Sequence, residues 1–309
     1  MSENMIDLLI GVADGRVLHY ILPIEDGEPE IIELTPKTNN INTEALKIVK
    51  SKDFYFVGSA NGSVNIWKPN GEQWQKYKTI EMKGKEEYGK KWEARSIACD
   101  ENLLYTGGPK GEIELWDINN DLTKVDEIKV TPNPIRGLMV NDEAIFCGAG
   151  EACFKVLNKN DYSELYTEDF PWAKYRLQNM TMNENFICLA LTGRVFSYTF
   201  DKETLTIEKH GAFENTHNKA KGLAMFFNIC YSVAWDGQIR AWNILSKNPS
   251  PILLMKAGSL ESVHVDNRFL YIGTHHGKFI VLDKQNEHQV KFQNSFGREV
   301  SCIYSPPKV

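Results

Sequence analysis

An all-β chain folded as a single seven-bladed β-propeller with four-stranded antiparallel blades, spanning residues 1–309, is what three features of this sequence predict. A strand-turn-strand phrase recurs seven times. A shorter apolar run precedes each copy after the first, with one such run left over at the end of the chain. A more polar run follows each copy. The clearest copy is LLYTGGPKGEIELWDI, residues 103–118. There Leu103 to Thr106 reads as a strand and Gly107 to Gly111 as a tight turn, and Glu112 to Trp116 as a second strand in which Ile113 and Leu115 alternate with acids.

The copies fall at 8–20, 54–67, 103–116, 144–157, 186–198, 229–242 and 269–282, a period of 40–50 residues. That period marks a propeller rather than two unrelated domains. The preceding runs, 44–49, 93–99, 134–140, 177–182, 220–225, 260–265 and 300–305, are short and rich in small residues, as a crowded innermost strand needs. The following runs, 30–34, 74–80, 125–130, 163–168, 205–210, 252–256 and 289–293, are more polar, which suits outer edges that must not pair with other edges. Since the first hairpin has no inner strand before it and 300–305 has no hairpin after it, the C-terminal strand is expected to complete the first blade.

Composition agrees with a large buried core: 42% of residues are hydrophobic and 25% charged. A net charge of -6 gives no overall attraction to nucleic acid or to an anionic membrane. No apolar run approaches the roughly 18 residues of a membrane helix. The opening MSENMIDLLIGVADG carries acids where a secretory leader carries bases. The six cysteines include no Cys-x-x-Cys pair, and five lie in apolar strand-like runs, so they read as core thiols in a reducing compartment. The expected location is cytoplasmic or nuclear.

Trp116-Asp117 matches the dipeptide that names the WD-repeat family, and Trp67-Lys68 and Trp242-Asn243 match it in part. Leu157-Asn158, Tyr198-Thr199 and Leu282-Asp283 are degenerate versions, and the Gly-His half of the signature is missing. On these residues and on the repeat, the chain resembles the WD-repeat β-propellers over essentially its whole length. The resemblance implies a buried set of His, Ser or Thr, turn Asp and Trp within a blade, for which the sixth repeat offers His217, Asp236 and Trp242. It also implies a non-catalytic scaffold or adaptor, a monomeric propeller that binds one or more proteins or peptides within a larger complex.

Catalytic and cofactor motifs point the same way. His275-His276 invites a metal reading, but neighbouring residues on a strand face opposite ways and no carboxylate or thiol lies at ligand spacing, so the pair reads as a hairpin turn. Gly107, Gly108 and Gly111 lack the Lys-Ser/Thr ending and the helix of a phosphate loop. There is no Gly-x-Ser-x-Gly elbow. The expectation is therefore no enzyme, no metal and no cofactor. A Phe-Arg-Arg-Gly motif for phosphoinositides is absent too, which argues against membrane lipid. The alternatives are an enzyme with its site at the channel mouth, and an RNA-associated scaffold resting on Lys83, Lys85, Lys90, Lys91 and Arg95. Interleaved Glu81, Glu86, Glu87 and Glu93 nearly cancel that charge.

The two faces of such a disc differ in composition. One carries loops such as DEN (100–102), NDE (141–143) and NEN (183–185), small, polar and rather acidic. The other gathers Trp92, Phe170, Trp172, Tyr175, Phe213 and Trp235 with Lys90, Lys91, Arg95, Lys174 and Arg176. Aromatic and arginine residues dominate binding hot spots, which makes this the candidate partner face. Aligning the inner strands places Glu44, Arg95, Arg136, Gln178, Lys221, Glu261 and Ser301 at equivalent positions around the channel mouth, 51, 41, 42, 43, 40 and 40 residues apart. Segments 81–93 and 166–176, the latter stiffened by Pro171, are further candidate docking loops.

Overall fold

In the computed structural model, residues 5–25, 27–35, 43–70, 73–82, 93–150, 153–170, 177–191, 194–213, 220–247 and 249–305 are described. They form seven four-stranded antiparallel sheets. Blade 1 is built from both ends of the chain: Val300–Tyr304 pairs with Met5–Val12, which pairs in turn with Val17–Pro23 and then Glu30–Glu33. The C-terminal strand thus completes the first blade, as its leftover position predicts.

The other blades run from the inside outward in chain order. Their inner strands are Ala45–Ser51, Ile97–Cys99, Ile135–Val140, Asn179–Met182, Ala220–Phe226 and Leu260–Val265 for blades 2 to 7. Each inner strand touches the inner strand of the next blade, and the last touches Val300–Tyr304, so the ring closes around a central channel.

The hairpins form because alternating side chains have somewhere to go on both faces. A propeller blade is covered on each side by a neighbour, and in each central strand the inward run is nearly all apolar. Ala144–Ala149, for instance, is buried at every position. The turns are set by residues that tolerate left-handed backbone: Gly111 has φ 82° and donates its amide to Gly108, and Gly277 has φ 83° and donates to Thr274.

The core is a set of interfaces rather than one centre. Among the described residues the buried apolar groups fall into seven clusters, each drawn from two adjacent blades. Phe56, Ile66 and Ile80 of blade 2 pack with Ile97 and Leu104 of blade 3, with Trp116 against the edge. Tyr20 of blade 1 meets Phe279 of blade 7 edge to face at 5.3 Å. Burying a side chain of this size contributes about 1.5–3 kcal/mol, so every blade depends on both neighbours. The six cysteines are free thiols, five of them buried. No helix among the described residues is long and apolar enough to cross a membrane.

Candidate functional site

The channel mouth is built by irregularities in the inner strands. Where these strands pair with their neighbours, the register skips one residue in five blades: Ser301, Leu46, Arg136, Lys221 and Glu261 in blades 1, 2, 4, 6 and 7. A residue skipped in this way opposes nothing in the adjacent strand, and the bulge turns its side chain out of the sheet. All five line a channel cavity of about 600 Å³, as do Arg95 and Gln178, which lie just before the inner strands of blades 3 and 5.

The register corrects one member of the expected ring. The blade 2 counterpart of Arg136, Lys221 and Glu261 is Leu46, two residues beyond Glu44. Glu44 instead corresponds to Glu93 and Glu299, each of which opens the same phrase: Glu44-Ala45-x-x-Ile48, Glu93-Ala94-x-x-Ile97 and Glu299-Val300-x-x-Ile303. This shared phrase, and not the spacing of Glu44 from Arg95, carries the true alignment in the sequence. All three glutamates line the channel. With Glu261 they make an acidic arc over blades 7, 1, 2 and 3, while Arg136, Gln178 and Lys221 occupy blades 4, 5 and 6. The mouth is therefore weighted by charge, with four glutamates and Arg95 over blades 7, 1, 2 and 3 and two basic groups and no acid over blades 4, 5 and 6.

Three of the predicted ring charges, Arg95, Lys221 and Glu261, are paired. Arg95 Nε donates to Glu93 Oε2 at 2.6 Å, and Lys221 Nζ stands 3.1 Å from Glu261 Oε2. Lys221 also sits 4.1 Å above the ring of Trp235, whose Nε1–H donates to Glu261 Oε1. The Trp235 and His275 rings are 5.8 Å apart, and His275 Nδ1 lies 3.4 Å from Glu261 Oε1 and 2.6 Å from Glu299 Oε2. Crowding of carboxylates shows in their acidity. Burial, then the Glu261 and Glu44 charges, push Glu299 up to about 7 against the opposing pull of His275. Burial also raises Glu44, opposed by a hydrogen bond from Ser301 and the charge of Arg95. The sequence reading missed His275 and Glu299 as members of the mouth.

The predicted aromatic face divides. Trp235, in the hairpin turn of blade 6, is half exposed at the rim. Phe170 is not available to a partner: it follows the outer strand of blade 4, is 1% exposed, and stacks on Phe196 of blade 5 at 5.3 Å. Phe213 does the same one blade on, fully buried and stacked at 5.3 Å on Trp242 of blade 6. An aromatic at this strand end is drawn into the next interface, where it loses more apolar surface than on the rim. Trp92, Trp172, Tyr175, Lys83, Lys85, Lys90, Lys91, Lys174, Arg176 and His217 lie outside the described residues.

Part of the hydrogen-bonded set implied by the WD-repeat resemblance is present. Trp242 Nε1–H donates to Ser232 Oγ at 2.9 Å, and Trp116 Nε1–H donates to Thr106 Oγ1 at 3.0 Å. Asp236 instead accepts from the Gln238 amide within its own turn. The polar loops of the opposite face are also structural. Asp100 Oδ1 accepts from the amides of Asn102 and Leu103, and Asn141 and Asn183 repeat the arrangement. These acid and amide side chains shape turns.

No family model matches this sequence, and no curated protein sequence matches it. Solved structures do match. A computationally designed protein, Ika8, superposes with a TM-score of 0.69 at 17% identity, over 98% of this chain and 87% of that one. The WD40 repeats of RRP9 superpose at 0.65 and 12% identity, over 84% of this chain and 86% of that one. A chain of the mitotic checkpoint complex gives 0.65 and 12%, over 96% and 90%. The fold of this protein is that of the seven-bladed WD40-repeat propellers.

Proposed function

We propose that this protein is a non-catalytic interaction scaffold that takes a protein segment at the channel mouth. The observation that carries this reading is the charge-weighted mouth itself. Glu261, Glu299, Glu44 and Glu93 line one side, with Arg95 among them bound to Glu93, Arg136, Gln178 and Lys221 line the other, and the half-exposed Trp235 stands at the rim. Such an arrangement favours a partner segment bearing both signs, its basic group directed to the acidic arc, with Trp235 supplying apolar area. One similar structure was itself solved within a multiprotein assembly, the mitotic checkpoint complex, which accords with a place inside a complex. A cytoplasmic or nuclear setting suits the same reading.

The test is affinity capture from the native cell with mass spectrometry, using the wild-type chain, Arg136→Ala and Trp235→Ala. Both variants should keep the wild-type circular dichroism and melting temperature while losing the captured partner. Undiminished capture by both folded variants would refute the assignment of the mouth.

A further inference from the structure

His275 presents one ring nitrogen to two carboxylates. Glu299 Oε2 is 2.6 Å from Nδ1 and Glu261 Oε1 is 3.4 Å from it, and one atom from each of the three residues lies within 4.8 Å of the others. Nδ1 can carry one proton, and at 2.6 Å that proton is directed at Glu299, while Glu261 Oε1 accepts from the Trp235 indole and stands next to the same nitrogen. A single divalent cation among the three atoms would satisfy all of them. Ligand atoms about 2.0–2.2 Å from a tetrahedral ion stand about 3.3–3.6 Å from each other, so the 3.4 Å separation of His275 Nδ1 and Glu261 Oε1 fits as it stands, and the 2.6 Å contact with Glu299 opens as the ion enters.

Strand pairing within blade 7 brings two arms of this cluster together, and closure of the ring adds the third. Glu261 is the bulged residue of the blade 7 inner strand, His275 sits in the hairpin turn of the same blade, and Glu299 immediately precedes the strand Val300–Tyr304 that completes blade 1. Glu261 is also held in place: Lys221 binds Oε2, and the Trp235 indole donates to Oε1, the oxygen beside His275. Groups of this kind orient metal ligands. His275 remains nearly half exposed, which leaves the far side of the cluster open to water.

We propose that Glu261, His275 and Glu299 bind one divalent transition-metal ion of the zinc class, clamping blade 7 to the blade that closes the ring. One imidazole nitrogen and two carboxylate oxygens suit Zn²⁺ better than Ca²⁺ or Mg²⁺, which take oxygen alone. Binding requires His275 to carry its proton on Nε2, so a proton on Nδ1 leaves to solvent as the metal–nitrogen bond forms. The proposal is independent of whether the mouth receives a protein segment.

The experiment titrates the purified full-length chain, first stripped with chelator, with Zn²⁺ by calorimetry. Melting temperature is followed in parallel for wild type, His275→Ala and Glu299→Gln. The wild type should bind one equivalent and melt at rising temperature as free zinc increases, because a ligand of the folded state alone stabilises it. Both variants should bind at least tenfold more weakly and lose the temperature shift, while their chelated forms remain folded. Co²⁺ should give a spectrum without thiolate charge-transfer bands, which excludes the cysteines as ligands. No binding at millimolar zinc, or equal binding by wild type and both variants, overturns the proposal and leaves the three residues as an ion pair only.

Discussion

The hydroxyl of Ser262 donates a 2.7 Å hydrogen bond to the carbonyl of Val300, tying the inner strand of blade 7 to the strand that closes blade 1. The contact recurs at the equivalent place elsewhere, immediately after the channel-lining position: Ser96 Oγ donates to the Ile135 carbonyl at 2.8 Å, and Cys302 Sγ to the Ala45 carbonyl at 3.3 Å. A small donor at this position thus joins successive inner strands. Removing it leaves a buried carbonyl without that donor, so Ser262→Ala and Ser96→Ala should each cost about 1–2 kcal/mol. Because the two sites lie in separate blades, the double variant should lose the sum. Urea unfolding midpoints measure this, and a change in neither single variant would dismiss the contact as a stabilising one.

Glycine at the end of the first hairpin strand has a separate task from glycine in the turn. A Cβ added to Gly58 would lie 1.9 Å from the Ala94 carbonyl oxygen, and one added to Gly107 would lie 2.5 Å from Ile135 Cγ2, in each case an atom belonging to the next blade. Gly58→Ala must push blade 3 away along the interface and should cost about 3 kcal/mol or more, at the upper end of overpacking. Gly258→Ala is the control, since nothing lies within 4 Å of its added methyl. Thermal unfolding of the two variants should differ by many degrees; equal melting temperatures would show that the blades slide apart at little cost.

That glycine illustrates what the sequence displays and what it conceals. The strands are legible because alternation and β-branched or aromatic content are local properties, and the unpaired run 300–305 reveals how the ring closes. The close approach at Gly58 is not local: the sequence shows only a glycine beside a turn. The same holds for the mouth. A gap of 51 residues between Glu44 and Arg95 cannot reveal that Leu46 is the bulged residue, although the phrase Glu-Ala-x-x-Ile, present in both strands, records the true alignment. His275 appears in the sequence to lack carboxylate partners because Glu261 and Glu299 are 14 and 24 residues away in the chain: Glu261 meets it only when the strands of blade 7 pair, and Glu299 only when the ring closes. Phe170 and Phe213 look like rim aromatics until the neighbouring blade is in place to bury them.

Trp242 combines two stabilising contributions that substitutions can separate. It is fully buried, stacks on Phe213 at an interplanar angle of 14°, and donates to Ser232. Trp242→Ala should cost about 3–5 kcal/mol through the cavity it leaves between blades 5 and 6. Ser232→Ala removes only the acceptor of the indole N–H and should cost about 1–2 kcal/mol. Chemical unfolding of both gives the ratio, and equal losses would assign the stability to the hydrogen bond instead of the packing.

Acid should weaken the fold through His264, on the inner strand of blade 7, whose ring lies 6.0 Å from that of Tyr271 at an interplanar angle of 24°. Burial lowers its pKa from 6.5 to about 4; Asp266 opposes the shift and Lys47 adds to it. Between pH 6.5 and 4 the unfolded chain therefore takes up a proton that the folded chain refuses. The unfolded state binds more protons, so stability rises with pH across that window and declines on acidification; below pH 4 both states are protonated and the loss levels off. A drop of this size corresponds to roughly 3–3.5 kcal/mol when the shift is fully expressed. In His264→Gln this contribution disappears, while acid-sensitive carboxylates such as Asp100 are common to both proteins. The difference between their urea midpoints, measured at intervals from pH 7.5 to 4, should shift in favour of the variant as pH falls below about 6.5. A constant difference across the range would show that His264 is protonated as readily in the folded protein as in the unfolded one.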